Sequence, residues 1–125
     1  MNYLVFIALG GACGAVSRYL MTSWVRQLWD GYFPVGTLLV NILGCAVAGV
    51  TYVVMIERHL AHPNWQAIVM IGFLGGFTTF SAFSVETITL FDTGHAMQAL
   101  LYAVGSTVSC VLVAGLAVQL TRLAL

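Results

Sequence analysis

The sequence predicts an all-α integral membrane protein: four transmembrane helices forming one domain over residues 1–125. Two observations lead there. Of the 125 residues, 61% are hydrophobic and only 6% are charged, with no net charge, whereas soluble domains carry about 25% charged residues. The few charges are also spaced like membrane boundaries. There are 26 uncharged residues between Asp30 and Glu57, 27 between Arg58 and Glu86, and 29 between Asp92 and Arg122. About 20 mostly apolar residues suffice to cross a bilayer as a helix. The same composition excludes a soluble globule, a disordered chain and a nucleic-acid binder, which needs a basic face.

The predicted spans are 3–26, 34–56, 66–90 and 96–121. The first 17 residues are uncharged, and the apolar pattern runs past Arg18 to Trp24. This stretch lacks the basic n-region of a signal peptide and is too long and glycine-rich for one, so it is expected to be a span. The second span opens at Pro34, which suits the first turn of a helix. Glu57-Arg58-His59 and His62-Pro63-Asn64 make the loop before the third. Asp92-Thr93-Gly94-His95 makes the last loop, with Asp92 or Thr93 as candidate cap of the fourth helix. Trp24, Trp29 and Trp65 fall near span ends, where indoles favour the interface. The pair His59 and His62 lacks a metal-binding constellation and reads as loop. Cys13, Cys45 and Cys110 sit in three different spans, as small packing residues rather than a disulfide framework.

Four spans put both termini and the second loop on one side, with Arg58 and Arg122. The first and third loops share the other side, with Arg26 and, deeper, Arg18. Positive residues in short loops normally set orientation. Here they nearly balance, and there is no Lys. Either one orientation is set by other means, or both occur and opposed copies pair. The balance and small size favour the second.

Polar residues inside a span are costly and are functional candidates. Arg18 lies about 12 Å along its helix from Arg26. Arg18 and Glu86 fall at similar depth, where they either pair or share a wet vestibule. Thr37 and Asn41 share one face of the second span. The Asn41 carboxamide needs a partner at that depth, either another helix or a ligand. The third span carries Gly72-Phe-Leu-Gly75-Gly76-Phe-Thr78-Thr79-Phe80-Ser81 near its centre. That run is either a helix break, tolerated only against protein or a cavity, or a packing face of the small-xxx-small type. A break would free carbonyls for a hard cation and expose a half-helix N-terminus to an anion. Phe80 and Phe83 follow, and their positive ring edges could attract a small anion. Tyr102, Ser106 and Cys110 recur at four-residue steps in the fourth span.

The segments Gly10-Gly11-Ala-Cys-Gly14-Ala-Val-Ser-Arg18-Tyr19, Pro34-Val-Gly36-Thr37-Leu-Leu-Val-Asn41-Ile-Leu-Gly44 and Gly72 through Glu86 resemble the bacterial Fluc (CrcB) fluoride channels. The likeness covers the whole chain, and its Thr-Thr-Phe-Ser-x-Phe-Ser stretch is specific. The resemblance implies a passive fluoride-selective channel that exports cytoplasmic fluoride across the bacterial inner membrane. It implies an antiparallel, dual-topology homodimer with two pores and a broken third helix. Its pore residues would be Asn41, Phe80, Phe83, Thr37, Ser106, Thr79 and Ser81, with Arg18 and Glu86 at the vestibule. It also implies a structural Na⁺ at the dimer centre, held by the backbone carbonyls of Gly75 and Thr78. Cys110 stands where the family often has a further hydroxyl. The rival class is a proton-coupled small multidrug-type transporter, which needs a titrating membrane carboxylate. Glu86 is the only candidate for that role. Nothing in the chain reads as a catalytic constellation.

Overall fold

A computed structural model describes residues 2–125, and they are entirely helical apart from short connections. Helix α1 is Asn2–Leu28 and α2 is Val35–Glu57. The third segment, Pro63–Asp92, is two helices: α3 over residues 63–77 and α4, Phe80–Asp92. Helix α5 is Ala96–Ala124. Each of the four segments is long and apolar enough to cross a membrane, so the chain is a multi-pass membrane protein.

The chain runs up and down, and side-chain contacts mark its two ends. At one end the Tyr32 ring packs on His95 with centroids 4.2 Å apart, joining the first and third connections. At the other, Arg122 Nε donates to Glu57 Oε2 at 3.0 Å, joining the C-terminal turns of α2 and α5. That ion pair is solvent-exposed and contributes little by itself.

Glycine determines how closely α1 approaches the third segment. No Cβ would fit at Gly10 or Gly14, because it would collide with the carbonyl oxygens of Ile68 and Phe73. From the opposite side, a Cβ on Gly72 would stand 2.7 Å from the Ile7 carbonyl. Without a hydrophobic force between helices in lipid, such backbone contact is a main source of association. Gly72 and Gly76 are therefore helical packing residues, and the glycine run does not itself break the helix.

Helix α2 packs on α5. Its last turns, Tyr52–Glu57, are wound wider than α, as are Ala67–Leu74 of α3. The last carbonyls of a helix have no intrahelical donor, and the Gln66 side chain donates to one of them, Met55 O, at 2.9 Å. A small core of Leu90, Ala99 and Tyr102 joins α4 to α5, with Phe33, Leu38 and Phe83 against it. The fourth span is not capped by Asp92 or Thr93. His95 occupies the capping position without a side-chain bond, and the Thr93 hydroxyl instead bonds back to Thr89 O and meets His95 Nδ1.

Candidate functional site

The third segment is interrupted at Thr78 and Thr79, in the middle of the span. Thr78 has φ −79° and ψ 155°, and Thr79 has φ −150° and ψ 124°. Both are extended, which suits two β-branched residues. An unpaired peptide at this depth would be costly. The Asn41 side chain removes that cost. Thr79 N–H donates to Asn41 Oδ1 at 2.8 Å, and Asn41 Nδ2 donates to Thr79 O at 2.9 Å. The carboxamide thus imitates a neighbouring strand. A primary amide has two N–H donors, and this pairing uses one of them.

The break redistributes the polar groups around it. In a continuous helix, Thr79 N–H would bond Gly75 O and Ala82 N–H would bond Thr78 O. Here Thr79 N–H goes to Asn41, and Ala82 N–H goes to Thr79 Oγ1 at 3.2 Å. Gly75 and Thr78 each lose their usual donor. At the same place α4 begins, presenting the positive end of its dipole, while α3 ends with its negative pole. The backbone therefore offers cation-attracting carbonyls and anion-attracting amides within a few residues of each other. Gly75 is exposed, and nothing lies within 4 Å of where its Cβ would be.

Two cavities flank the break, and Thr79 lines both. The first, ≈ 490 Å³, is the more polar of the two and includes Arg18, Thr22, Arg26, Thr37 and Glu86. Arg18 and Glu86 share this cavity, yet no ion pair joins them among the described residues. Glu86 is held by hydroxyls: Thr37 Oγ1 donates to Oε1 and Tyr102 OH donates to Oε2, each at 2.7 Å. These short lengths are typical of bonds to a carboxylate. Thr37, only 5% exposed, and the fully buried Tyr102 hold the carboxylate from α2 and α5.

The second cavity, ≈ 520 Å³, is an apolar groove lined by Asn41, Phe80, Phe83 and Ser106 among others. Phe80 and Phe83 are neighbours with centroids 5.3 Å apart. Phe83 also packs on Tyr102 at 5.1 Å, so its ring is fixed. Phe80 is 77% exposed. Ser106 is 5% exposed, and its hydroxyl has no hydrogen-bond partner among the described residues. A buried hydroxyl without a partner costs about 1–3 kcal/mol, so this one is a candidate ligand contact. Ser81 is exposed on the first turn of α4, with its hydroxyl 3.3 Å from Thr79 Oγ1.

The structure therefore gathers Thr37, Asn41, Thr79, Phe83, Glu86 and Ser106 around one interrupted helix. Arg18 stands at the polar end, and Phe80 at the open edge of the groove. Tyr102 is the residue that motif reading undervalued. Its placement one turn before Ser106 was visible in the sequence, but its bond to Glu86 requires α4 and α5 to be packed together.

An interrupted membrane helix with polar groups at its midpoint, and a polar cavity on one side of it, defines a membrane protein built to handle ions. A family model described as CrcB-like protein, Camphor Resistance (CrcB), matches residues 5–118. A relative from Hahella chejuensis named fluoride-specific ion channel FluC is 42% identical, covering 98% of this chain and 97% of its own. One of the same name from Saccharophagus degradans is 45% identical over 93% of this chain and 86% of its own. Another, from Rhizobium johnstonii, is 43% identical over 95% and 97%. The chain belongs to the CrcB family. The family is one of ion channels rather than enzymes.

Proposed function

We propose that this chain is a passive, fluoride-selective channel that releases cytoplasmic fluoride across the bacterial inner membrane. It works as an antiparallel, dual-topology homodimer with two pores. The relatives' names supply the ion. The observation that carries the assignment to this site is the Asn41 clamp on the Thr79 peptide at mid-span. It keeps a break open where an anion needs donors and lipid offers none.

Fluoride is small and strongly hydrated, so a narrow dry path must replace its water with hydrogen-bond donors. The ion enters the polar cavity, drawn by Arg18 and Arg26. Thr37 and Glu86 lie at the cavity's inner wall and Thr79 at its junction with the groove. Beyond the junction, the free N–H of Asn41 and the Ser106 hydroxyl donate, with Ser81 on the first turn of α4. The ring edges of Phe80 and Phe83 complete the wall. Larger halides fit such a path poorly and accept hydrogen bonds more weakly. The balance of positive residues between the two ends supports insertion in both orientations.

A structural Na⁺ fits the chemistry of the break. Carbonyl oxygens suit a hard cation, and Gly75 and Thr78 both lack their helical donors because of the rearrangement at Thr79. Those two carbonyls from each of two opposed copies would hold the ion and fix the two subunits together. The relatives do not favour the proton-coupled transporter.

The test is efflux from liposomes holding purified protein, comparing fluoride with chloride. Fast fluoride efflux without chloride efflux, abolished by Phe80→Ile, is expected. Equal loss of both anions, or of neither, contradicts the reading.

A further inference from the structure

The groove contains two thiols that the proposed pathway does not use. Cys45 lies four residues after Asn41 on α2, and Cys110 four residues after Ser106 on α5. Each is therefore about 6 Å further along its helix, on the same face as its polar neighbour. Both line the groove and lie at one level of the close α2–α5 contact, since one turn further along each helix a Cβ on Gly49 would stand 2.6 Å from Ala114 O. Met70 lines the same groove. No charged residue does.

We propose that Cys45 and Cys110 form a binding site for a soft, thiophilic metal cation in the wall of this groove, and that occupancy closes the pathway. The donor set selects the metal class. Sulfur ligands favour soft cations. Zinc takes four ligands from Cys, His and carboxylates, and no group of three or more His, Cys, Asp or Glu side chains is gathered for a metal among the described residues. A two-coordinate soft cation needs only the two thiols, with Met70 as a weak third donor. Charge balance in a groove without charged side chains favours a divalent ion. Two S–H groups release two protons to water and two S–Hg bonds form. The two thiolates then neutralise Hg²⁺, and nothing is oxidised or reduced. A metal there narrows the groove one turn from Asn41 and Ser106.

The closure of the pathway rests on the proposed channel activity, whereas metal binding does not, so the experiment reads each separately. Cys13 is exposed on α1, and Cys13→Ser removes it as a competing thiol. Full-length Cys13→Ser protein is titrated with HgCl₂ while free thiols are counted, and fluoride efflux from liposomes is measured with and without the metal. The expected result is one mercury consuming two thiols, with efflux reduced about tenfold or more at saturation, as expected for a constricted path, and restored by dithiothreitol. Adding Cys45→Ser or Cys110→Ser to that background removes the block, each variant being compared with its own metal-free flux. One thiol consumed per mercury overturns the site even if no variant conducts. A full block that persists in both of these variants overturns the closure.

Discussion

Asn41 bonds both sides of the Thr79 peptide, accepting at 2.8 Å and donating at 2.9 Å across 38 residues of sequence. One side chain on α2 thereby supplies what a helix turn would have supplied on the third span. That pair of bonds takes the donor of the Gly75 carbonyl, while the Thr79 hydroxyl takes that of Thr78 by capping α4 at Ala82 N–H.

Asn41→Asp keeps the acceptor and removes the donor. It places a negative oxygen beside Thr79 O and in the path of an anion. Fluoride efflux should fall to background. Thermal unfolding in detergent should show a loss of about 1–3 kcal/mol, the cost of leaving the Thr79 carbonyl unpaired. Normal efflux from this variant would separate the clamp from the pathway.

Ser106→Ala should raise stability while lowering function. The hydroxyl is buried without a partner among the described residues, so its removal relieves about 1–3 kcal/mol of desolvation cost. If the hydroxyl serves the ion, fluoride efflux slows in the same variant. A stabilised variant with unchanged efflux would make Ser106 a packing residue.

Glu86 is held by Thr37 and Tyr102. Glu86→Gln should retain fluoride efflux at a reduced rate, without dependence on a pH gradient. Complete loss of transport, with proton-coupled exchange in the parent protein, would return the carboxylate to the transporter mechanism. Tyr102→Phe removes one of two donors and should have a smaller effect than Asn41→Asp in the same assay.

Gly14→Ala and Gly115→Ala make a matched pair. A Cβ on Gly14 collides with the Phe73 carbonyl, while nothing lies within 4 Å of one on Gly115. The first should cost about 1–3 kcal/mol through overpacking, read as a shift in thermal unfolding. The second should stabilise slightly, by about 0.4–1 kcal/mol, because Ala at a compatible helical position lowers the entropy of the unfolded chain.

Two Lys placed in the second connection, as Leu60→Lys and Ala61→Lys, should bias insertion to one orientation. Efflux should then require co-expression with an oppositely biased variant. Full function from the biased chain alone would exclude the antiparallel dimer.

The four spans are legible because the charged residues other than Arg18 and Glu86 stand at or near the segment ends. The fate of the glycine run is only half legible. Its composition fits both a break and a packing face, and the structure uses it for both: Gly72 and Gly76 meet α1, and Thr78 and Thr79 carry the break a few residues later. Glycine marks where helices touch, but the interruption depends on a partner from α2 that local sequence does not reveal. The environment of Glu86 is illegible for the same reason. Depth along a helix brings Arg18 and Glu86 to one level, but rotation decides the contact, and α4 turns Glu86 toward Thr37 and Tyr102.

The most direct measurement is the reversal potential of the purified protein in a planar bilayer, with fluoride unequal and chloride equal across it. A passive fluoride channel reverses at the fluoride equilibrium potential, about 59 mV for a tenfold gradient of a monovalent ion, and an added pH gradient leaves that value in place. A reversal potential near zero, or one that moves with pH, would contradict passive and selective fluoride conduction.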